Sequence, residues 1–160
     1  MDQPSKSASS RRPHFDSLEQ EAFLNLWRTY DRLKALEEAL FGEYGLTAQQ
    51  YNALRLLRAE HPDSLPTLVI GSRLISRAPD ITRLLDKLEE RGLVSRRRDA
   101  TNRRVVNVSI TPAGLELLDV IAAPLAECHR RQLGHLSPGD LRSLIDLLAA
   151  ARRPHESDGF

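Results

Sequence analysis

Cations concentrate in one stretch of this chain, between Gly71 and Pro112, where ten Lys or Arg residues stand against five Asp or Glu. The stretch is therefore strongly basic, although the net charge of the whole chain is only +1. Besides Arg83, it holds a group of five arginines within nine residues: Arg96, Arg97, Arg98, Arg103 and Arg104. Guanidinium groups bind phosphate oxygens, and one Arg can donate two parallel hydrogen bonds to guanine O6 and N7. A local basic patch of this kind indicates a nucleic-acid partner.

The segment around Arg83 has the pattern of a short amphipathic helix. Pro79 suits a first helical position, and Gly92 suits the position after a helix end. The apolar stripe comprises Ile81, Leu84, Leu85 and Leu88. The outward face comprises Asp80, Thr82, Arg83, Asp86, Lys87 and Arg91. A helix matches the width of a DNA major groove, where such outward side chains would meet base edges.

Two strands are predicted after this helix, over Leu93–Arg98 and Val105–Ile110. In the second strand, branched apolar residues alternate with Asn107 and Ser109, as is typical of a half-buried strand. Residues 99–104 join the two strands as an arginine-rich hairpin. A helix followed by a basic hairpin is typical of a winged helix-turn-helix, in which the hairpin, or wing, lies over phosphates and a minor groove.

Capping residues and apolar periodicity predict the other helices. The first helix begins at Ser17 and reaches Gly45, and it is apolar almost all round, so we expect it to touch more than its own chain. A capping box at Thr47 begins the second helix, which ends before His61-Pro62. Thr67 is predicted to cap a short third helix that runs to about Ile75.

Two more helices follow the hairpin. One is predicted to begin at Thr111-Pro112 and to continue to about Leu133, and the last begins at Ser137. The predicted apolar stripe of the earlier helix comprises Leu115, Leu118, Ala122, Leu125 and His129. The fold class is therefore mainly α (α+β), a winged helix-turn-helix with long N- and C-terminal helices. Residues 1–15 and 154–160 lack apolar periodicity, so we expect a disordered arm and a flexible tail.

Several classes of protein are not supported by the sequence. Cys128 is the single cysteine, so no internal disulfide or Cys-cluster zinc site is predicted, and a reducing cytoplasm is indicated. The five histidines have no ligand-like spacing, so no metal or cofactor is predicted. No apolar run approaches the ~20 residues that span a bilayer, and no secretion signal is visible. Only Cys128 and His129 adjoin as nucleophile and base, so we predict no enzyme, no membrane partner and a cytoplasmic location.

Two motifs carry a family resemblance. Residues 81–94 read ITRLLDKLEERGLV, and residues 102–111 read NRRVVNVSIT. Together with the flanking helices, they resemble the MarR family of bacterial regulators, over most of Ser17 to Arg152. The resemblance implies a homodimer that binds a roughly palindromic operator near the genes it controls. It also implies dimerisation helices at about 16–45 and 112–152, a winged-helix DNA-binding lobe at about 47–111, and a family domain over 16–153.

The resemblance and the groove chemistry assign roles to the helix that would enter the major groove, termed the recognition helix. Arg83 is the predicted base reader. Thr82 can contact a thymine methyl or a phosphate, and Asp80 can accept from a cytosine amino group or cap the helix. The predicted phosphate contacts are Lys87, Arg73 and Arg77. The alternative is that these charges only solvate an exposed helix face.

The wing has a corresponding assignment. Arg104 aligns with the family's wing-tip arginine, which enters a minor groove whose negative potential attracts a guanidinium. Arg103 and the run from Arg96 to Arg98 are predicted to add backbone contacts. The alternative is a solvated hairpin tip, although five neighbouring arginines repel one another and favour a polyanion.

The chain departs from the family pattern at three places. Asn102 replaces the acidic residue that precedes the wing arginine, so the carboxylate that holds the wing must come from elsewhere, with Asp99 and Asp86 as candidates. Gly71 stands in the middle of the third helix, where a small residue can allow close packing at a propensity cost of ~1 kcal/mol. Pro79 is unusual at the groove.

Control by a small ligand is a further implication of the resemblance. The side chains that would border a ligand pocket are Trp27, Tyr30, Tyr51, Arg55 and His61. The alternative is that the three aromatic residues belong to the core or an interface. For Cys128, both a buried inert thiol and an oxidation-sensing thiol stay open.

The function predicted from the sequence is a sequence-specific regulator that binds double-stranded DNA, a homodimeric repressor of nearby genes relieved by a small ligand. The alternative is a winged-helix adaptor or antirepressor that acts mainly through protein contacts.

Overall fold

A computed structural model describes residues 15–75 and 80–156. The helices are α1 (Leu18–Glu43), α2 (Ala48–Glu60), α3 (Thr67–Arg73), α4 (Ile81–Glu90), α5 (Pro112–Leu133) and α6 (Pro138–Arg152). The strands are β1 (Leu65–Pro66), β2 (Val94–Arg98) and β3 (Val106–Ile110). The predicted fold class, mostly helical with a small antiparallel sheet, is confirmed. No helix in the described ranges is both long and apolar enough to cross a membrane.

The described chain divides into two compact units at Lys34. In the first unit, Ser17 Oγ accepts a hydrogen bond from the Gln20 N–H at 3.2 Å, as the predicted capping residue should. The start of α1 leaves its large apolar side chains exposed, and the rings of Phe23 and Trp27 lie 6.2 Å apart. The exposed set is Leu18, Phe23, Leu26, Trp27 and Tyr30.

The second unit has its core between α2, α3, α4, the sheet and α5. The largest fully buried side chains are Leu54, Leu57, Ile70, Leu85, Leu88, Val108 and Ile121. The predicted stripe of α4 is confirmed, with Ile81 half-buried at its edge. The predicted stripe of α5 is partly wrong, because Ala122 and His129 are exposed while Ile121 and Cys128 are buried.

The sheet has the order β1-β3-β2, with both pairs antiparallel. The two-residue strand β1 was not predicted from the sequence. The expectation that Thr67 caps α3 is wrong. Thr67 is the first helical residue, and its hydroxyl donates to the Val106 carbonyl at 3.1 Å. The helix α4 begins at Ile81, and Pro79, expected at a first helical position, lies outside the described residues. The predicted tail begins with a 3₁₀ turn over Arg153–His155.

A tight joint links the end of α4 to the start of α5. The backbone turns at Gly92 with φ +69°, which suits glycine. The Thr111 hydroxyl donates to the Gly92 carbonyl at 2.7 Å, and the Thr111 N–H donates to the Leu93 carbonyl at 3.1 Å. Gly114 packs so closely that a Cβ there would lie 2.3 Å from the Leu93 carbonyl oxygen. Short backbone contacts therefore hold α5 against the residues that follow α4.

The room around Gly71 leads to a stability prediction. A Cβ at this position would lie 3.8 Å from Ile81 Cγ1, an ordinary van der Waals distance, so close packing does not require the glycine. Gly71→Ala is therefore expected to raise the free energy of unfolding by about 0.5–1 kcal/mol through helix propensity. Urea unfolding of both proteins would measure this. A lower stability of the variant would contradict the prediction.

Candidate nucleic-acid interface

The N-terminal half of α4 presents polar side chains to solvent. Asp80 caps the helix, since its Oδ1 accepts the Arg83 N–H at 2.9 Å. The side chains of Thr82, Arg83 and Lys87 are exposed. Of the two sequence interpretations of Asp80, helix capping is the one that the structure displays. The capping leaves the Arg83 guanidinium and the Lys87 ammonium group available on one exposed face.

A shallow open depression of about 410 Å³ lies beside this face. Its lining comprises Asp80, Arg83, Leu84 and Lys87 of the recognition helix region, with Thr47, Gln49 and Gln50. The latter three belong to the start of α2, where the predicted capping box is present. The depression is thus bordered by the first turns of two helices, two cations and one carboxylate, so its lining has a net positive charge that favours an anionic partner.

The wing carries exposed cations on a turn with defined hydrogen bonds. Its exposed arginines are Arg97, Arg98, Arg103 and Arg104. Asp99 Oδ1 accepts from the Thr101 N–H at 2.8 Å, the Thr101 hydroxyl at 2.6 Å and the Asn102 N–H at 2.9 Å. Asn102 Oδ1 in turn accepts the Arg104 N–H at 3.1 Å. The wing tip is therefore organised by a carboxylate, although residue 102 is not acidic.

The hydrogen bonds to Asp99 lower the pKa of its carboxyl group to about 2, with the bond from the Thr101 side chain as the largest cause. The folded-state pKa lies below the ordinary value of 3.8. The carboxylate consequently contributes to stability above about pH 4, and this contribution is lost as the pH falls from there towards 2.

An NMR titration of the Asp99 carboxyl carbon is expected to give this pKa of about 2. In Asp99→Ala, the amide protons of Thr101 and Asn102 should lose protection against exchange. Arg98→Ala provides a control at the neighbouring exposed position and should leave those amides protected. A measured Asp99 pKa near the ordinary value of 3.8 would show that the turn is not held by this carboxylate.

Arg96 differs from the other wing arginines because its side chain is only 23% exposed. Its Nη2 lies 2.6 Å from Asp86 Oδ1 and 2.6 Å from Glu89 Oε2, and its Nε donates to Glu89 Oε2 at 2.8 Å. The Arg96 N–H also donates to Glu89 Oε1 at 3.1 Å. The two carboxylates raise the pKa of Arg96, and the largest cause is the hydrogen bond that its side chain donates to Glu89. Asp86 thus pairs with Arg96 rather than holding the wing tip.

The structure describes only one of the other two arginines that were predicted to contact DNA phosphates. Arg73 is half-exposed, and its Nη1 lies 2.6 Å from Glu60 Oε1. Arg77 and Pro79 lie outside the described residues. The structure also shows a cation contact that the sequence did not indicate, since Arg91 donates to the carbonyls of Gly45 and Tyr44 at 2.7 and 2.9 Å. Such contacts between distant residues leave no periodic signal in a sequence.

The residues named for a ligand pocket lie in both units. In the first unit, Trp27 and Tyr30 are 61% and 57% exposed. In the second, Tyr51 stacks on Phe41 with ring centroids 4.5 Å apart, and burial raises the pKa of its hydroxyl. Arg55 donates to Asn52 at 3.2 Å, and His61 is exposed. The stacking of Tyr51 favours its interpretation as a core aromatic.

Cys128 is buried, and its pKa is raised first by burial and then by the negative charge of Glu37. Both effects disfavour the thiolate that oxidation sensing requires, so the structure favours the inert thiol. Within residues 15–75 and 80–156, no group of three or more potential ligand side chains is placed to hold a metal ion.

Comparison with known proteins identifies the family. A family model described as MarR family matches residues 46–106. The crystal structure of a MarR transcription factor from Planctomyces limnophilus is 57% identical, with a TM-score of 0.69, over 86% of this chain and 99% of that chain. This chain belongs to the MarR family. The HTH-type transcriptional regulator YkoM of Bacillus subtilis is 33% identical over 141 residues, which cover 86% of this MarR-family chain and 90% of YkoM.

The fold has a DNA-bound counterpart as well. The crystal structure of Sco3205 from Streptomyces coelicolor, solved in complex with DNA, has a TM-score of 0.79 at 18% identity and covers 92% of this chain and 94% of its own. At that identity the likeness concerns the fold alone. Membership of the MarR family confirms the predicted winged helix-turn-helix. It also confirms a DNA-binding transcription regulator rather than an enzyme.

Proposed function

We propose that this MarR-family protein is a homodimeric repressor that binds a roughly palindromic operator near the genes it controls. Arg83 reads a base in the major groove, and Arg104 enters the adjacent minor groove. The single observation that carries the proposal is the pair of exposed cationic elements, the face of α4 and the tip of the wing. Acting on a bacterial chromosome, the protein would work in the cytoplasm.

Further DNA contacts are proposed from the exposed side chains. Thr82 lies beside Arg83 on the exposed face and is proposed to meet a thymine methyl or a phosphate. Phosphate contacts are assigned to the exposed cations Lys87, Arg97, Arg98 and Arg103, and to Arg73, which is half-exposed and paired with Glu60. They fix the register of the protein on the duplex without reading sequence. Asp80 is left as the cap of α4.

The homodimer is supported by apolar surface on two helices. The start of α1 exposes several large apolar residues, among them Phe23 and Trp27, which are both 61% exposed. No residue of α6 is buried, and Ile145 and Leu147 are 63% and 69% exposed. Helices at both ends of the chain thus expose large apolar side chains of the kind that protein interfaces cover. Sedimentation equilibrium at micromolar concentration should give twice the chain mass of 18.0 kDa; a monomer would contradict the dimer.

The proposal includes relief of repression by a small ligand, which the family resemblance implies. A panel of phenolic acids is the appropriate probe, with thermal unfolding and operator binding as the two measurements. A ligand that relieves repression should raise Tm and weaken operator binding together, because it binds one folded state better than the other. Substitution of Tyr30 by Phe would test whether the exposed phenol takes part.

The decisive experiment is selection of genomic fragments by the purified protein, followed by affinity measurement against random DNA at two salt concentrations. The proposal predicts a palindrome bound at least ~10³-fold more tightly than random DNA. Salt-sensitive binding without preference would indicate a non-specific DNA binder. Absence of any binding would contradict the proposal and favour the adaptor that works through protein contacts.

A further inference from the structure

We propose that Arg96 is a positioning residue, which clamps the wing to the recognition helix so that Arg83 and Arg104 can engage the same half-site together. This inference rests on the proposed DNA-binding function. It replaces the direct backbone contact that the sequence suggested for Arg96. The clamp consists of Arg96 on β2 with Asp86 and Glu89 on α4.

In the clamp, Arg96 of β2 binds two carboxylates of α4. Both carboxylates come within 2.6 Å of Arg96 Nη2, and Glu89 binds the Arg96 side chain and backbone at once. Asp86 and Glu89 are three residues apart, so they occupy one side of α4. A planar guanidinium with several directed donors holds two carboxylates in a fixed arrangement better than an ammonium group would. The wing strand is therefore anchored to α4 by side-chain and backbone hydrogen bonds.

The position of Arg96 in the sheet transmits this anchoring to the wing tip. Arg96 pairs with Val108, which is fully buried, and two residues further along the ladder Arg98 pairs with Val106. Displacement of Arg96 relative to α4 would consequently move the start of the turn that carries Arg104. On the other side of the clamp, Asp86 lies three residues from Arg83 on the same short helix.

Charge provides a second argument for the clamp. Asp86 and Glu89 would repel a phosphate backbone approaching α4, and Arg96 offsets one of these two negative charges at contact distance. Because Arg96 is mostly covered and its Nε and Nη2 groups are engaged by the carboxylates, binding a phosphate through these groups would require breaking those bonds. The adjacent Arg97 is exposed and faces no such requirement. The two neighbours are therefore expected to respond differently to substitution.

The benefit of the clamp lies in simultaneous binding. When two contact groups are held in the correct relative geometry, binding by one makes binding by the other effectively intramolecular. Loosening the clamp would leave each cation on its own element but no longer fix their relative position, which reduces the advantage that one contact gives the other. The energetic signature is a loss of coupling between the wing and the recognition helix.

The test uses Arg96→Gln/Glu89→Gln, which removes one positive and one negative charge and so leaves the net charge unchanged. Arg97→Gln is the matched control. Binding to the selected operator and to random DNA is measured in each background, with and without Arg104→Ala. In the wild-type background Arg104→Ala is expected to weaken operator binding by about tenfold, and in the clamp variant by about threefold or less. Random-DNA affinity of the clamp variant should stay within about twofold of wild type.

Arg97→Gln is expected to behave in the opposite way. It should weaken operator and random DNA alike, reduce the salt slope by about one, and leave the tenfold effect of Arg104→Ala intact. The single variant Arg96→Lys should restore part of the coupling, because it keeps the charge without the directed donors. If the double variant fails to fold by circular dichroism, Glu89→Gln alone takes its place, with the same direction of effect on the Arg104→Ala cost.

The outcomes separate this inference from the proposed function. Wild-type protein that selects no operator would overturn both. An operator-specific wild type in which Arg104→Ala costs the same with and without the clamp would overturn the inference alone. A clamp variant that loses random-DNA affinity and salt dependence as Arg97→Gln does would show that Arg96 binds phosphate directly, which also overturns it.

Discussion

Arg83→Ala is expected to weaken operator binding by about 1–3 kcal/mol per half-site and to relax base preference at one position in each. The reason is that an Arg in the major groove can donate two parallel hydrogen bonds to guanine, which no other base accepts in the same way. Arg83 is exposed near the start of α4, and Asp80 engages its backbone N–H rather than its guanidinium. Affinities for the operator and for a set of single-base variants would measure both effects.

Lys87→Ala is the control for Arg83→Ala, because Lys87 is exposed on the same helix and borders the same depression. As a phosphate contact, Lys87 should affect operator and random DNA similarly and lower the salt slope. Equal losses on operator and random DNA for Arg83→Ala would contradict its role as a base reader. Unchanged base preference in that variant would lead to the same conclusion.

Gly114→Ala is expected to lower the free energy of unfolding by about 2–3 kcal/mol, the upper part of the range for an overpacked core position. The new Cβ would lie 2.3 Å from the Leu93 carbonyl oxygen and 2.7 Å from Ile110 Cγ1. Neither a backbone oxygen nor a branched side chain in the core can move away cheaply, so α5 must shift. Urea unfolding monitored by circular dichroism would measure the loss.

Gly71→Ala serves as the control for this substitution, since the same added methyl group meets only ordinary contacts there. Operator binding gives a second measurement. Thr111 holds the start of α5 against Gly92 and Leu93, so a shift of α5 should also disturb the residues that follow the recognition helix. Wild-type stability of Gly114→Ala would show that the joint accommodates a side chain, contrary to the observed distances.

Local signals in the sequence predicted the parts of the fold that depend on neighbouring residues. The capping box at Thr47 and the apolar stripe of α4 are periodic or short-range patterns, and the structure confirms both. The strand β1 was missed because two residues, one of them Pro66, show no alternation. For α5, apolar residues are so frequent that more than one stripe fits, and only packing selects Ile121 and Cys128 over Ala122 and His129.

The candidate site shows the same limit at the level of single side chains. Composition and spacing indicated a cluster of cations, but they could not distinguish the exposed Arg97 from the ion-paired Arg96. That difference depends on contact with Asp86 and Glu89 across two elements. The loss of an acidic residue at Asn102 pointed to two substitutes, and the structure gives each a separate partner: Asp99 binds the wing turn, and Asp86 binds Arg96.

The joint between Gly92, Thr111 and Gly114 has a consequence for protein engineering. A chimaeric regulator could combine the winged lobe of this chain with the terminal helices of another. Its crossover point cannot fall between Gly92 and Gly114, because the hydrogen bonds from Thr111 and the close approach of Gly114 span that boundary. If residues up to and including Gly114 are transferred as one block, every residue of the joint comes from the same parent protein.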